Sequence, residues 1–150
     1  MARSLARPNQ IADALVARLK TIETDQGRYR EPVQFVGRVY DVDAVTAALP
    51  ALFVQLSHEE SDRFSNSKHK SELGCIVWVV TADPDQPDVV LQNLIADVKE
   101  CLLSAETLAG AVSMLFYDGS ENQVEIGKRI GKAVATMRFR LQYEWSHDAA

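Results

Sequence analysis

Nowhere does this sequence hold an apolar run approaching the ~20 residues that a membrane-spanning helix needs, which excludes a helical span. Cysteine is scarce: Cys75 and Cys101 stand alone, at no spacing used by metal or redox motifs. Cys75 lies inside an apolar stretch and Cys101 on the apolar side of an expected helix. Both read as buried free thiols suited to a reducing cytoplasm, with a disulfide between them as the alternative. An excess of basic residues is missing too. The net charge is −5, which argues against a general nucleic-acid binder and against sequence-specific nucleic-acid binding. Near the N-terminus, Asn9, Gln10 and Asp13 interrupt any apolar stretch beside Arg3, Arg7 and Arg18. An ordinary first helix is expected there rather than a secretory leader or a transit peptide. Internal repeats and low-complexity segments are absent as well.

What is present suits one globular domain over residues 1–150. Hydrophobic residues make up 47% and charged residues 25%, enough for one core. Charge is uneven along the chain. From Lys128 to Arg140 there are five basic residues and no acidic one, whereas Asp118 to Glu125 is acidic. Such blocks are either solvated faces or charge-complementary contacts between subunits.

Periodicity supplies the elements. Ile11, Leu15, Leu19 and Ile22 recur at helical spacing, with Asn9 as the expected N-cap after Pro8 and Gly27 closing the turn that follows. Val33, Phe35 and Val39 suggest a short strand that Pro32 confines to a sheet edge. A helical turn opened by Asp41 or Asp43 is expected to run through Ala48 and stop at Pro50. Ala51 to Ser57 alternates as a strand, His58 to Lys70 reads as a long polar loop, and Ser71 to Thr81 is the next strand. The centre of that strand, Cys75 to Val80, is apolar on both faces, so it belongs in the middle of a sheet. Asp83, Asp85 and Asp88 open a helix from about Asp88 to Ser104, or on to Ala109, with Gly110 as a stop. Asp118-Gly119 is expected to turn a hairpin between Val112–Tyr117 and Gln123–Ile126.

The clearest signal is the last. Ala133, Ala135, Met137, Phe139, Leu141, Tyr143 and Trp145 are apolar, and five of the six residues between them are polar. That is a half-buried strand of unusual length, expected to outrun its own sheet and pair beyond the monomer. The fold class that follows is α/β (α+β). A mixed, mainly antiparallel sheet is flanked by an N-terminal helix and a central amphipathic helix, with long strands or a hairpin arm.

Candidate chemistry is sparse. Gly127-Lys128-Arg129-Ile130-Gly131-Lys132-Ala133 is one residue short of a phosphate-binding loop, lacks its Ser or Thr, and precedes a strand rather than a helix. His58-Glu59-Glu60-Ser61-Asp62 has an aspartate where a zinc-protease helix has its second histidine. With His69 it reads as a solvated loop, the alternative being an adventitious metal chelate. Asp83, Asp85 and Asp88 lack the glycine and glutamate of a calcium loop. Glu121 and Glu125 form no acid–base pair that their spacing would single out, and His58, His69 and His147 mark no triad. No catalytic residue, metal ligand or cofactor site is assigned, and an enzyme is not expected. Tyr143 and Trp145, near a strand end, instead suit an interface.

The layout resembles the tail terminator, or tail completion, proteins of long-tailed phages and related particles. The resemblance spans roughly Asn9 to Trp145. It takes in the first helix, Leu49-Pro50-Ala51-Leu52-Phe53-Val54 entering a strand, the polar stretch, the Cys75–Val80 strand, the Val89–Leu103 helix and Thr136 to Tyr143. It implies a homo-hexameric ring that caps the tail tube at the head-proximal end of the virion. Such a ring, assembled in the host cytoplasm, would meet the tail tube protein and a neck or connector protein. A neck or head–tail joining protein, or a small enzyme or ligand-binding domain, is the alternative. On this reading the partner-facing residues are Arg63, Phe64, Lys68, Lys70, Arg138, Arg140, Tyr143 and Trp145.

Overall fold

The computed structural model describes residues 6–24, 27–38, 49–83, 85–105, 107–124 and 132–146. In chain order they form α1 (Arg7–Leu19), α2 (Thr21–Thr24), β1 (Phe35–Arg38), β2 (Ala51–Arg63), β3 (Lys68–Ala82), α3 (Pro87–Leu103), β4 (Met114–Val124) and β5 (Lys132–Ser146). The strands make one sheet in the order β1-β2-β3-β5-β4. Only β1 and β2 are parallel. This is the expected mixed, mainly antiparallel α+β architecture. The expected turn through Asp41 to Ala48, Val39, Glu125, the basic link at 127–131 and His147 lie outside the described residues.

The helices form because their apolar positions recur on one face. Ile11, Leu15 and Leu19 of α1 and Ile22 of α2 are buried, as are Leu91, Leu94, Ile95, Val98, Cys101 and Leu102 of α3. Against the sheet they meet Cys75, Val77 and Val79 of β3 and Ala135, Met137, Phe139 and Leu141 of β5. Burying a side chain of this size is worth roughly 1.5–3 kcal/mol.

The start of α1 differs from expectation, whereas α3 ends within a residue of the expected Ser104. α1 starts at Arg7, with Ala6 at the N-cap and no capping side chain, so Asn9 lies inside the first turn. Pro8 permits this because a first-turn N–H has no helical partner to lose. α3 stops at Leu103, and the chain then turns through Leu108, Ala109 and Gly110 at positive φ (48°, 58° and 91°). Before α3, the Asp83 carboxylate accepts the backbone N–H groups of Asp85 (2.9 Å) and Gln86 (2.7 Å), so it orders the turn ahead of the helix.

Three strand expectations need correction. The presumed loop from His58 to Lys70 is a β-ribbon: β2 runs on to Arg63, β3 starts at Lys68, and only residues 64–67 turn. A ribbon wet on both sides has no apolar alternation, so composition alone cannot tell it from a loop. Asp118-Gly119 is a bulge within a continuous β4, where the register shifts between Tyr117 and Gly119, and not a hairpin turn. Gly119 has φ +123°, and a bulge uses glycine for the same reason that a turn does. Finally, β5 does not outrun its sheet. It pairs with β3 residue for residue from Lys132↔Ala82 to Ser146↔Lys68, because β3 is equally long.

Candidate functional site: a three-stranded arm

The long strands separate the sheet into a covered half and an arm. Residues 57–63 of β2, 68–74 of β3 and the end of β5 form the arm. β1 pairs only with Ala51–Val54, and β4 only as far as Gln142. Between Leu56 and His58 the β2–β3 register shifts. Ahead of the shift, Leu52 and Val54 share the helix-facing side with Val79 and Val77. Beyond it Glu59, Ser61 and Arg63 take that side, opposite Leu73, Ser71 and His69. One extra residue thus exchanges the two sides of β2.

Gly74 lies under the shifted residues and is buried. A Cβ there would collide with the His58 ring and the Ser57 hydroxyl. The hydroxyl of Ser57 is also 3.1 Å from His58 Nδ1.

The helix-facing side of the arm carries a chain of contacts. Tyr143 donates its hydroxyl to Glu59 Oε1 at 2.7 Å, and the Arg7 guanidinium lies 5.7 Å from its ring centre. The Ser61 and Ser71 hydroxyls are hydrogen-bonded to each other. Trp145 Nε1 donates to Ser71 Oγ at 2.7 Å, and the Trp145 ring stacks on His69 with centres 4.1 Å apart. Burial, followed by the bond to Glu59, pushes the Tyr143 hydroxyl up to about 12. On the opposite side, Glu60, Asp62, Lys70, Glu72 and Gln142 line a groove of about 320 Å³. Asp62, Lys70 and Glu144 stand in register across its three strands, a charge ladder suited to solvent.

The expected partner-facing residues fall into three groups. Arg63, Phe64, Lys68 and Lys70 gather at the arm tip and are exposed, Phe64 by 53%. Arg63 also braces the turn, donating to the carbonyls of Ser65 (3.1 Å) and Asn66. Arg138 and Arg140 lie apart from the tip, on the sheet face opposite α1 and α3. Arg138 reaches Glu121 at 3.5 Å. Arg140 bonds Asp118 (2.7 Å) and Glu72 (3.4 Å) and sits over Phe116. The hydrogen bond to Asp118 holds Arg140 still more firmly in its charged form. Tyr143, at 3% exposure, belongs to the subunit's own core, and Trp145 is half-buried. Tyr143 therefore offers no ring to a partner; it holds the base of the arm.

The histidines take opposite sides, His58 with Gly74 and His69 with Trp145. Among the described residues no group of three or more His, Cys, Asp or Glu side chains could hold a metal. Both thiols are free and buried, and burial pushes Cys75 up to about 12. Asp97 is the residue that sequence reasoning missed. Fully buried on α3, it accepts the backbone N–H groups of Arg30 (2.9 Å) and Glu31 (3.0 Å) and the Arg30 guanidinium (2.9 Å). Its signal was a lone carboxylate within the apolar stripe between Ile95 and Val98.

No family model matches the sequence, and no curated protein matches it. Among solved structures, the fold is similar to that of a chain in the virion of a native gene transfer agent particle. The TM-score is 0.61 and the sequence identity 14%, covering 95% of this chain and 100% of that one. At that identity the likeness is one of fold, and it runs almost end to end.

Proposed function

We propose that this chain is a structural virion protein that forms a ring on the end of a phage-type tail tube. The ring ends tube polymerisation and offers a surface to the head-side connector. The observation that carries the reading is the full-length similarity of fold to a chain of a gene transfer agent virion. The arm supports it. A closed ring requires a heterologous contact repeated by rotation, and a ribbon with exposed charges and Phe64 at its tip suits that purpose. Arg63, Phe64, Lys68 and Lys70 at the tip, Arg138 and Arg140 on the open face, and Trp145 are the proposed contact residues. Tyr143 acts indirectly, by fixing the arm. The partners are further copies of the chain, six by expectation, together with the tube protein and a neck or connector protein.

Solution mass and electron microscopy with purified tail tubes test the reading. A ring of several subunits, or decoration of tube ends, is the expected result. A stable monomer that ignores tubes and binds a small metabolite would overturn it. Particles that decorate the head-side connector and not the tube would favour a neck or head–tail joining role.

A further inference from the structure

The arm begins where two observations coincide. The β2–β3 register shifts between Leu56 and His58, and Gly74 lies opposite, where a Cβ would meet the Ser57 and His58 side chains; β1 has already ended at Val54, and β4 ends shortly beyond, at Gln142. A bulge bends and twists the strand that carries it. Here the bulged residues pack into the space that a side chain at position 74 would fill. We infer that Ser57, His58 and Gly74 form a fixed joint that sets the direction of the arm and decides which β2 side chains it presents on each side.

The second half of that statement follows from alternation. Without the extra residue, His58, Glu60 and Asp62 would face the helix side, and Glu59, Ser61 and Arg63 the other. Two carboxylates would then lie on the side of Trp145 and His69, and Glu59 could not reach the Tyr143 hydroxyl. The joint therefore decides that Glu59 and Arg63, and not Glu60 and Asp62, lie on the side of the aromatic and hydroxyl groups. The mechanical half is a lever argument. The seven residues from Ser57 to Arg63 span ~20 Å. Turning such a lever by ~15° displaces its tip by roughly 5 Å, enough to lose a specific contact.

The inference concerns the arm within one subunit, and its assembly consequence rests on the proposed ring. The test is pulsed electron–electron distance measurement between spin labels on Asn66→Cys, in the turn, and Gln92→Cys, on the exposed side of α3; the native thiols are buried and stay unlabelled. The parent should give one narrow distance distribution. Gly74→Ala should shift its mean by several Å or broaden it. Gly74→Ala combined with Ser57→Ala and His58→Ala, which removes the colliding atoms, should restore it. Deletion of Ser57 should leave the melting transition cooperative and abolish the Tyr143–Glu59 contact, seen as a lower titration midpoint for that tyrosine. An unchanged distribution in folded Gly74→Ala and in the Ser57 deletion would overturn the joint. If the parent forms no ring, the distance result still decides the joint, and only the ring reading fails. If Gly74→Ala moves the tip and rings form as before, the joint stands and the arm is not a ring contact.

Discussion

Strand β5 passes through both halves of the molecule. From Ala133 to Leu141 every second side chain is fully or almost fully buried under α1 and α3, whereas beyond Tyr143 the strand runs on into the arm with Glu144 exposed and Trp145 and Ser146 only partly buried. Strand β2 makes the same passage more abruptly, from four buried residues at Ala51–Val54 to seven exposed ones at Ser57–Arg63. In the covered half, stability comes from apolar area, and backbone pairing is a by-product of it. In the arm, apolar area is nearly absent. Pairing to β3, one aromatic stack and a few hydroxyl contacts hold the ribbon in shape. The covered half should therefore govern folding, and the arm should govern association.

The largest expected effect lies in the covered half. Phe139→Ala, which empties a site 1% exposed, should cost about 3–5 kcal/mol in urea unfolding. A loss below about 1 kcal/mol would mean that the core is not where the burial places it. Asp97→Ala should come next, at about 1–3 kcal/mol, because it strands the buried backbone donors of Arg30 and Glu31. Faster amide exchange at those two residues would localise the effect.

Two predictions address the boundary between the halves. Tyr143→Phe should cost about 1 kcal/mol through the lost bond to Glu59, and it should slacken the arm without emptying the core. Replacing Tyr143 by alanine is a poor test of an interface, since it would open the core as well. Alkaline pH provides a second probe. The Cys75 thiol ordinarily titrates near 9.0 and is held at about 12, and the Tyr143 hydroxyl moves from 10.0 to about 12. Both are raised in the folded state, so the unfolded chain loses these protons first. Their stabilisation is complete below pH 9 and falls as pH climbs towards 12. Cys75→Ala should flatten the early part of that decline, measured as the urea midpoint against pH.

The smallest folding effect should come from the surface. Arg138→Ala breaks only a 3.5 Å pair between exposed groups and should change unfolding by less than about 0.5 kcal/mol. Under the proposed function, Phe64→Ala and Arg138→Ala should nevertheless reduce ring formation several-fold by analytical ultracentrifugation. A variant that unfolds normally and assembles normally would remove its residue from the contact set.

How much was legible in the sequence followed the same division. The β5 alternation, the α3 stripe and the central place of Cys75–Val80 could be read because burial imprints its period on nearby residues. The stretch from His58 to Lys70 could not, since its partner strands impose pairing but no burial. Asp118-Gly119 was read as a turn because positive φ serves turn and bulge alike, and the chain beyond it, not the dipeptide, decides between them. Arg63, Phe64, Lys68 and Lys70, near one another in sequence, also stand together at the arm tip. Tyr143 was not recognised as core because its surroundings come from distant parts of the chain, Glu59 at its hydroxyl lying 84 residues away.

The sequence by itself determined the elements that have an apolar face, the buried state of both thiols and the half-buried period of β5, because each depends on neighbours within a few positions. Only the tertiary structure decided that β3 matches β5 for fifteen residues, that one extra residue at Ser57 exchanges the sides of β2, and that the Ser57 and His58 side chains occupy the space a Cβ at Gly74 would take. Those features depend on which strand lies alongside, and strand pairing is a contact between distant parts of the chain that no local period records.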